Sequence, residues 1–177
     1  MTWIQTKTGK KFDFFNPTLD SICIEDIAHA LANLCRFSGH TKMFYSVAEH
    51  SVWVSVQAPP DLKLEALLHD AAEAYLGDVS RPLKRMLPQY KLLEGKIERR
   101  IAEKFGLVYP WPDAIKAIDN RMLITERNQL MGRSSWTWED EAKPYGIAVA
   151  CLEPVQAKLA FMRTYRKLVQ GETHELG

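Results

Sequence analysis

The clearest helical pattern in the chain of 177 residues is Leu64-Glu65-Ala66-Leu67-Leu68-His69-Asp70-Ala71-Ala72-Glu73-Ala74-Tyr75-Leu76-Gly77. Apolar side chains recur in it at spacings of three and four, so they share one helix face: Leu64, Leu67, Leu68, Ala71 and Tyr75. This periodicity predicts a helix over residues 61–76. Gly77 is expected to end it, because glycine adopts the left-handed backbone of a helix C-terminus without strain.

Further helical patterns lie on both sides of this stretch. Asp26 is expected to cap a helix over residues 26–36, and another helix is predicted over residues 45–57. A loop over residues 78–82 follows the central helix, and later helices are predicted after Pro88, after Pro112 and from Glu153. Near the N-terminus, two β-prone runs flank Lys7-Thr8-Gly9-Lys10 and predict a small hairpin.

These patterns predict an all-α fold, a helical bundle of about six or seven helices with a short N-terminal β-hairpin. We expect a single domain over residues 1–177, with a hairpin or extension at 1–17, a helical core at 26–130 and a C-terminal loop and helix at 131–177. The aromatic N-terminus is expected to pack on the domain or to mediate dimerisation. Trp136 and Trp138 either cover a ligand or, as we favour, pack against the bundle or a second subunit.

Composition and charge exclude several classes of protein. The 23 basic and 22 acidic residues leave a net charge of +1, so strong nucleic-acid binding is not expected. Cys23, Cys35 and Cys151 form no C-x-x-C motif, which argues against a thiolate zinc site or a disulfide framework and favours a reducing compartment. No leader-like apolar region and no apolar run of about 18 residues is present, so we expect a cytoplasmic protein without a membrane span.

Polar residues with catalytic potential lie inside the central helix. On a helix, Glu73 follows His69 by four positions and Asp70 by three, so the three side chains border one patch. A buried carboxylate and imidazole are unfavourable unless they are paired or bind a metal. By itself, the His69-Asp70 pair is more often an ion-paired helix face than a metal site.

Two other predicted helices carry candidate metal ligands among apolar neighbours, namely His50 and Asp119. Each residue alone favours a structural role in the core. Together with His69 and Asp70 they would give two imidazoles and two carboxylates. Such a mixed set suits Mn²⁺, Co²⁺, Mg²⁺ or Fe²⁺ with open water positions better than a closed zinc site.

The order and spacing of His50, His69-Asp70 and Asp119 resemble those of the HD-domain metal-dependent phosphohydrolases. The resemblance spans about residues 26–130. Two runs are most similar to the bacterial 5′-deoxynucleotidase branch and to small phage and prophage phosphohydrolases: Ala48-Glu49-His50-Ser51-Val52 and Leu68-His69-Asp70-Ala71-Ala72-Glu73-Ala74-Tyr75-Leu76-Gly77-Asp78-Val79. The resemblance implies an HD-domain helical bundle that forms a homodimer.

The resemblance also implies a role for each matching residue. It implies that one divalent metal ion is held by His50, His69, Asp70 and Asp119. It makes Glu73 the general acid/base, brings Asp78 near the sugar and Arg36 to the phosphate. Phe37 stands where the family has a Trp that screens the 2′ position, so the choice between ribose and deoxyribose stays open. Apart from the resemblance, Lys84 and Arg81 follow Asp78 and are candidates to add positive charge at the rim of the site, although residues of this kind are more often simply solvated.

The implied reaction is hydrolysis of the phosphate monoester of nucleoside or deoxynucleoside 5′-monophosphates, through attack by water that the metal activates. Two alternatives stay open. The first is a phosphodiesterase or a hydrolase of nucleotide diphosphates or triphosphates with the same metal core. The second is a helical binding module without catalytic activity.

Overall fold

The structure is a computed structural model that describes residues 1–136 and 142–170. A two-stranded antiparallel hairpin opens the chain, with β1 at Trp3–Gln5 and β2 at Lys11–Asp13. The rest is helical: α1 (Ile24–Asn33), α2 (Val47–Gln57), α3 (Lys63–Leu68), α4 (Glu73–Leu76), α5 (Arg81–Met86), α6 (Pro88–Phe105), α7 (Asp113–Leu130) and α8 (Pro154–Gln170). The prediction of an all-α fold with a short N-terminal hairpin is confirmed.

The core lies between α1, α2, α3 and α8. Side chains from three of these helices are fully buried there: Ile27, Leu31, Leu67, Leu68 and Phe161. Each such side chain contributes about 1.5–3 kcal/mol through burial. The C-terminal helix α8 packs against α1 and α2, and it therefore closes the bundle.

The N-terminal hairpin is part of this core. Phe12 is fully buried and stacks on Tyr75 of α4, with 3.8 Å between the ring centroids. Thr8, at the hairpin turn, donates from its backbone N and its Oγ1 to the two carboxylate oxygens of Asp26, each at 2.7 Å. The predicted helix cap at Asp26 is therefore wrong. Cys23 occupies the cap position of α1, and Asp26 binds the hairpin instead.

The predicted central helix is divided by a tight turn at residues 69–72. Within this turn the backbone N of Glu73 donates to the carbonyl of Asp70 at 3.0 Å, and Ala71 N donates to Leu68 O at 3.0 Å. Hydrogen bonds between residues three apart are typical of a 3₁₀ turn, in which side chains three apart point the same way. Asp70 and Glu73 therefore face the same cavity.

Three other predicted boundaries differ from the structure. The first helix ends at Asn33 rather than near Arg36, since residue 35 forms an isolated antiparallel bridge with Ser46. The next helix begins at Val47, where the Ser46 side chain accepts a hydrogen bond from the backbone N of Glu49. The predicted loop at 78–82 is shorter, because α5 begins at Arg81 with Pro82 in its first turn.

Across the described ranges, none of the helices combines the length and apolar character that a membrane span requires.

Candidate metal centre

The predicted metal ligands come from three parts of the fold and converge on one point. His50 lies on α2, His69 and Asp70 lie in the turn between α3 and α4, and Asp119 lies on α7. The Nε2 atom of His50 is 3.2 Å from Asp119 Oδ1 and 3.5 Å from Asp70 Oδ2. The Nε2 atom of His69 is 3.2 Å from Asp70 Oδ2. The structure groups His50, His69 and Asp119 so that one ligand atom of each lies within 4.8 Å of the others, and Asp70 lies beside this group through its contacts with both imidazoles.

The hydrogen bonds of the two imidazoles point their Nε2 atoms towards this centre. The Nδ1 atom of His69 donates to the carbonyl of Ala66 at 2.8 Å, and that of His50 donates to Glu126 Oε1 at 2.6 Å. Both Nε2 atoms are buried and, within the described residues, neither has a well-aligned hydrogen-bond partner. A buried nitrogen without a partner is costly unless a hydrogen-bond partner or a bound cation satisfies it.

The electrostatics of the centre favour positive charge at these nitrogens. Burial and Arg36 lower the pKa of His50, but Glu126 and Asp119 outweigh them and raise it to about 9. Burial raises the pKa of the Asp70 carboxyl, but His69 and His50 hold it well below its usual range. Burial likewise opposes ionisation of Asp119, and the contact with His50 outweighs it. Two ionised carboxylates and two imidazoles fit a divalent cation of the Mn²⁺, Fe²⁺ or Co²⁺ type.

Glu73 lies beside this centre with a different electrostatic character. Burial raises the pKa of the Glu73 carboxyl well above its usual range, and the neighbouring Asp70 and Asp78 raise it further. Its Oε1 accepts a hydrogen bond from Lys84 Nζ at 3.1 Å, and Lys84 also donates to Glu94 at 2.6 Å. Glu73 is therefore a carboxyl group that keeps its proton more readily than an ordinary glutamate does.

A cavity of about 530 Å³ opens in front of the metal centre. It is lined by every residue that was predicted to bind substrate: Arg36, Phe37, Asp78 and Lys84. Its size lies within the range of small-molecule sites, about 300–1,000 Å³. The wall is shaped partly by strained backbone, because Phe37 and Ser38 adopt φ values of +53° and +51°. Such strain in non-glycine residues is concentrated at functional sites.

A second cavity, of about 440 Å³, reaches the same centre from another side. Both cavities are lined by the same five side chains: Asp70, Glu73, Arg81, Lys84 and Asp119. Arg81 donates to Asp119 Oδ2 and to Asn120 Oδ1, each at 2.5 Å. The basic residues of α5 thus lie between the two cavities rather than only at an outer rim.

Glu126, which the sequence patterns did not single out, is fully buried behind the candidate metal centre. Besides His50, its carboxylate binds Arg36 Nε at 3.0 Å and the Tyr45 hydroxyl at 3.0 Å. A signal was present, since Glu126 follows Asp119 by about two helical turns and so shares its face of α7. The helix spacing does not show which side chains Glu126 contacts. Its packing against α2 and residue 36 in the folded structure does.

The predictions for the aromatic residues near the N-terminus and at positions 136 and 138 differ in their outcome. Trp136 is 82% exposed, so the structure does not bury it against the bundle. Trp138 lies outside the described residues. In the N-terminal segment, Phe12 packs on the domain as expected, whereas Phe15 is 74% exposed.

Comparisons with known proteins show relatives that align with most of the chain. No model of a known protein family matches it. The chain is 48% identical over 130 residues to the uncharacterized protein YfdR of Escherichia coli (strain K12), an alignment that covers 73% of each chain. It is 34% identical over 189 positions, 96% of each chain, to the uncharacterized protein RCAP_rcc00048 of Rhodobacter capsulatus. At these identities and coverages, the chain belongs to the protein family that includes YfdR and RCAP_rcc00048.

Proposed function

We propose that this protein is an HD-domain phosphohydrolase that depends on one divalent metal ion and cleaves the phosphate monoester of nucleoside or deoxynucleoside 5′-monophosphates. The observation that carries the proposal is the cluster of His50, His69 and Asp119, with Asp70 in contact with both imidazoles, beside a cavity that Asp70 and Asp119 line together with basic side chains. When bound there, a divalent cation would polarise the phosphate and lower the pKa of water. The remaining steps fall to the chain's own residues.

Arg36 and Lys84 are suited to hold the phosphate. Both line the cavity, and both keep their positive charge because neighbouring carboxylates outweigh the opposing effect of burial and raise their pKa values. A phosphate monoester carries two negative charges that repel an attacking oxygen. Fixed cations in a largely buried site offset this repulsion more effectively than water does.

Glu73 is suited to protonate the leaving group. Hydrolysis breaks the bond between phosphorus and the 5′ oxygen, and that oxygen leaves as a poor leaving group unless it gains a proton. Because burial raises the pKa of the Glu73 carboxyl well above its ordinary value, this group holds a proton more readily than an ordinary glutamate and is suited to donate it. The bond to Lys84 would fix the orientation of the carboxyl group towards the cavity.

Asp78 and Phe37 are suited to contact the sugar. Both line the first cavity and neither lines the second. A carboxylate accepts hydrogen bonds from sugar hydroxyls, and an aromatic ring packs against the face of a ribose or a base. These two residues therefore set the preference between ribose and deoxyribose in this proposal.

The second cavity favours one alternative reaction. A phosphodiester, or a nucleotide with two or three phosphates, has groups on both sides of the reacting phosphorus. Two openings onto one metal centre accommodate such a ligand, and Lys91 and Lys116 in the second cavity would meet its additional negative charge. Hydrolysis of diesters or polyphosphates is therefore the second candidate function.

We also propose that the protein works as a homodimer in the cytoplasm. The exposed Trp136 and Phe15 support an additional contact surface. Its cysteines are all free thiols, as expected in a reducing compartment. Light scattering after size-exclusion chromatography tests the dimer, and a monomer at micromolar concentration would contradict it.

The decisive experiment measures phosphate release from ribo- and deoxynucleoside 5′-monophosphates with Mn²⁺, Co²⁺, Mg²⁺ or a chelator. We expect release that requires a metal and falls by about 100-fold or more in Glu73→Gln. Glu103→Gln is the matched control, because this exposed glutamate lies on α6 away from both cavities and pairs with Arg100. Bound metal without release from any monophosphate would contradict the proposal, and cleavage of bis(4-nitrophenyl) phosphate would then support the diester alternative.

A further inference from the structure

Glu126 is a fully buried carboxylate that contacts both halves of the proposed site. Its side chain is fully buried on α7. Oε1 accepts hydrogen bonds from His50 Nδ1 at 2.6 Å and from the Tyr45 hydroxyl at 3.0 Å. Oε2 accepts one from Arg36 Nε at 3.0 Å. One carboxylate thus binds a candidate metal ligand through one oxygen and the candidate phosphate ligand through the other.

The contact with His50 determines which nitrogen faces the metal centre. Because a carboxylate accepts hydrogen bonds, Nδ1 of His50 carries the hydrogen and Nε2 is left for the ion. The same contact fixes the ring plane, since α2 and α7 hold the two residues in place. A carboxylate behind a metal-binding histidine also makes the imidazole a stronger ligand.

The contact with Arg36 aims the guanidinium group at the cavity. Nε of Arg36 is bound to Glu126, while its NH1 lies 3.7 Å from Asp70 Oδ2. The planar guanidinium has five N–H groups, so fixing one edge leaves the other edge in a defined direction for an anion. Arg36 lies outside any helix, and its backbone N donates to Tyr45 O at 2.8 Å. Glu126 therefore orients the side chain through its Nε edge, while Asp70 lies near NH1.

We propose that Glu126 is a positioning residue that couples the cation-binding half of the site to its phosphate-binding half, through simultaneous hydrogen bonds to His50 and Arg36. The inference rests on the proposed function, since it takes His50 as a metal ligand and Arg36 as a phosphate ligand. A change at this one residue alters both metal affinity and substrate affinity, although Glu126 touches neither ligand.

The test begins with a titration of the full-length protein with Mn²⁺ in the absence of substrate. The electron paramagnetic resonance signal of free Mn²⁺ gives the bound fraction at each step. We expect Glu126→Gln to raise the Mn²⁺ Kd by about 10- to 100-fold, as for other residues that support metal ligands. An amide cannot accept from His50 and Arg36 at once, because its nitrogen only donates. Glu126→Asp keeps the charge and is expected to bind Mn²⁺ more tightly than Glu126→Gln does.

Enzyme kinetics at saturating Mn²⁺ then test the phosphate-binding half of the site, through the KM for the nucleotide. In Glu126→Gln we expect KM for the nucleotide to rise, because the Arg36 side chain loses its fixed direction. The matched control is Thr125→Val, the adjacent buried residue on α7, whose hydroxyl binds Arg121 O and Tyr145 N rather than the site. This control is expected to lower thermal stability without changing the Mn²⁺ Kd.

Glu126→Gln removes the buried negative charge that pairs with Arg36. Loss of this charge destabilises the folded state and can unfold the protein. If Glu126→Gln does not fold, the Mn²⁺ Kd of Arg36→Gln is compared with that of the double variant Arg36→Gln/Glu126→Gln. The double variant leaves no unpaired charge, because it removes both members of the ion pair. The Mn²⁺ Kd of the double variant is then expected to exceed that of Arg36→Gln.

Two results would overturn the inference. A folded Glu126→Gln protein with the Mn²⁺ Kd and KM of the wild type would limit Glu126 to a structural role and leave the proposed function intact. A wild-type protein that binds none of Mn²⁺, Co²⁺ or Mg²⁺ would instead overturn the proposed function and this inference together.

Discussion

Asp70 contacts both candidate imidazole ligands and the candidate phosphate ligand. Its Oδ2 lies 3.2 Å from His69 Nε2, 3.5 Å from His50 Nε2 and 3.7 Å from Arg36 NH1. The side chain is 21% exposed, so it meets the cavity as well as the centre. Asp70 is thus both a candidate ligand and the source of negative charge that the surrounding nitrogens require.

For Asp70→Ala we expect loss of Mn²⁺ binding and of phosphate release, with the metal-free protein still folded. The reason is that a ligand and a negative charge are removed from a partly exposed position rather than from the packed core. Isothermal titration calorimetry with Mn²⁺ and circular dichroism of the metal-free protein measure the two effects. Asp113→Ala, an exposed aspartate at the start of α7, is the control. An Asp70→Ala protein that binds Mn²⁺ and keeps its activity would contradict the assignment.

Phe37 is the residue whose substitution best tests the preference between ribo- and deoxynucleotides. It lines the cavity and is held there by a left-handed backbone beside Arg36. For Phe37→Trp we expect the ratio of kcat/KM for deoxy- over ribonucleotides to rise by up to about 10-fold, because a larger ring leaves less room for a 2′ hydroxyl. Parallel assays of paired nucleotides give this ratio, with Phe15→Trp on the exposed N-terminal segment as control. An unchanged ratio would mean that residue 37 does not contact the sugar.

At the scale of elements, the hairpin is attached to α1 through Asp26. The residue is 3% exposed, and its carboxylate accepts hydrogen bonds from Thr8 and from Cys23. Burial raises its pKa, but the bonds from Cys23 and Thr8 outweigh burial and lower the pKa below the ordinary value of 3.8. Ionised Asp26 therefore stabilises the folded chain.

For Asp26→Asn we expect the free energy of unfolding at pH 7 to fall by about 1–3 kcal/mol, since acceptors for buried donors are lost. The folded-state pKa is lowered, so this contribution is fully present above the ordinary pKa and is lost as pH falls through the folded-state pKa. Urea unfolding of both proteins between pH 3 and pH 7 measures the difference, which should shrink towards the acidic end. The exposed Asp20→Asn variant serves as control, and a difference independent of pH would rule out a role for the charge.

The turn between α3 and α4 shows how an element boundary serves the site. A continuous helix would separate Asp70 and Glu73 by about 300° around its axis, so that they diverge slightly. The 3₁₀-type bonds at residues 69–72 align them instead. The break also lets His69 bind the carbonyl of Ala66, which fixes its ring.

At the scale of the whole molecule, the site connects parts of the chain that are distant in sequence. The candidate ligands come from α2, the turn at 69–72 and α7, so an ion would bind only where all three are in place. Such binding to the folded state alone would stabilise the entire fold through linkage.

We expect Mn²⁺ at about 100 times its Kd to stabilise the folded protein by about 2.7 kcal/mol. For a domain of this size this raises Tm by roughly 5–10 °C. Differential scanning fluorimetry with Mn²⁺, and then with excess chelator, measures the shift and its reversal. Asp119→Asn should abolish most of the shift, whereas Asp113→Ala should keep it. The absence of any shift with Mn²⁺, Co²⁺ and Mg²⁺ would favour a binding module that has no metal.

Much of the fold was predictable from local sequence. The periodicity of Leu64, Leu67 and Leu68 predicts a buried helix face, and these residues do pack in the core or against it. Helix starts were less predictable, as Asp26 illustrates. An aspartate near a helix start caps the helix in many proteins, and only the nearby hairpin turn gives it a different partner here.

The sequence by itself determined the all-α class, the short hairpin and the candidate ligands His50, His69, Asp70 and Asp119, because helix periodicity and ligand chemistry are properties of local residue patterns. Tertiary structure alone decided the tight turn at 69–72, the two cavities and the partners of Glu126. The contact between Glu126 and His50 joins residues 76 positions apart in the chain. Such a contact depends on how α2 and α7 pack against each other, and no local pattern of residues specifies that packing.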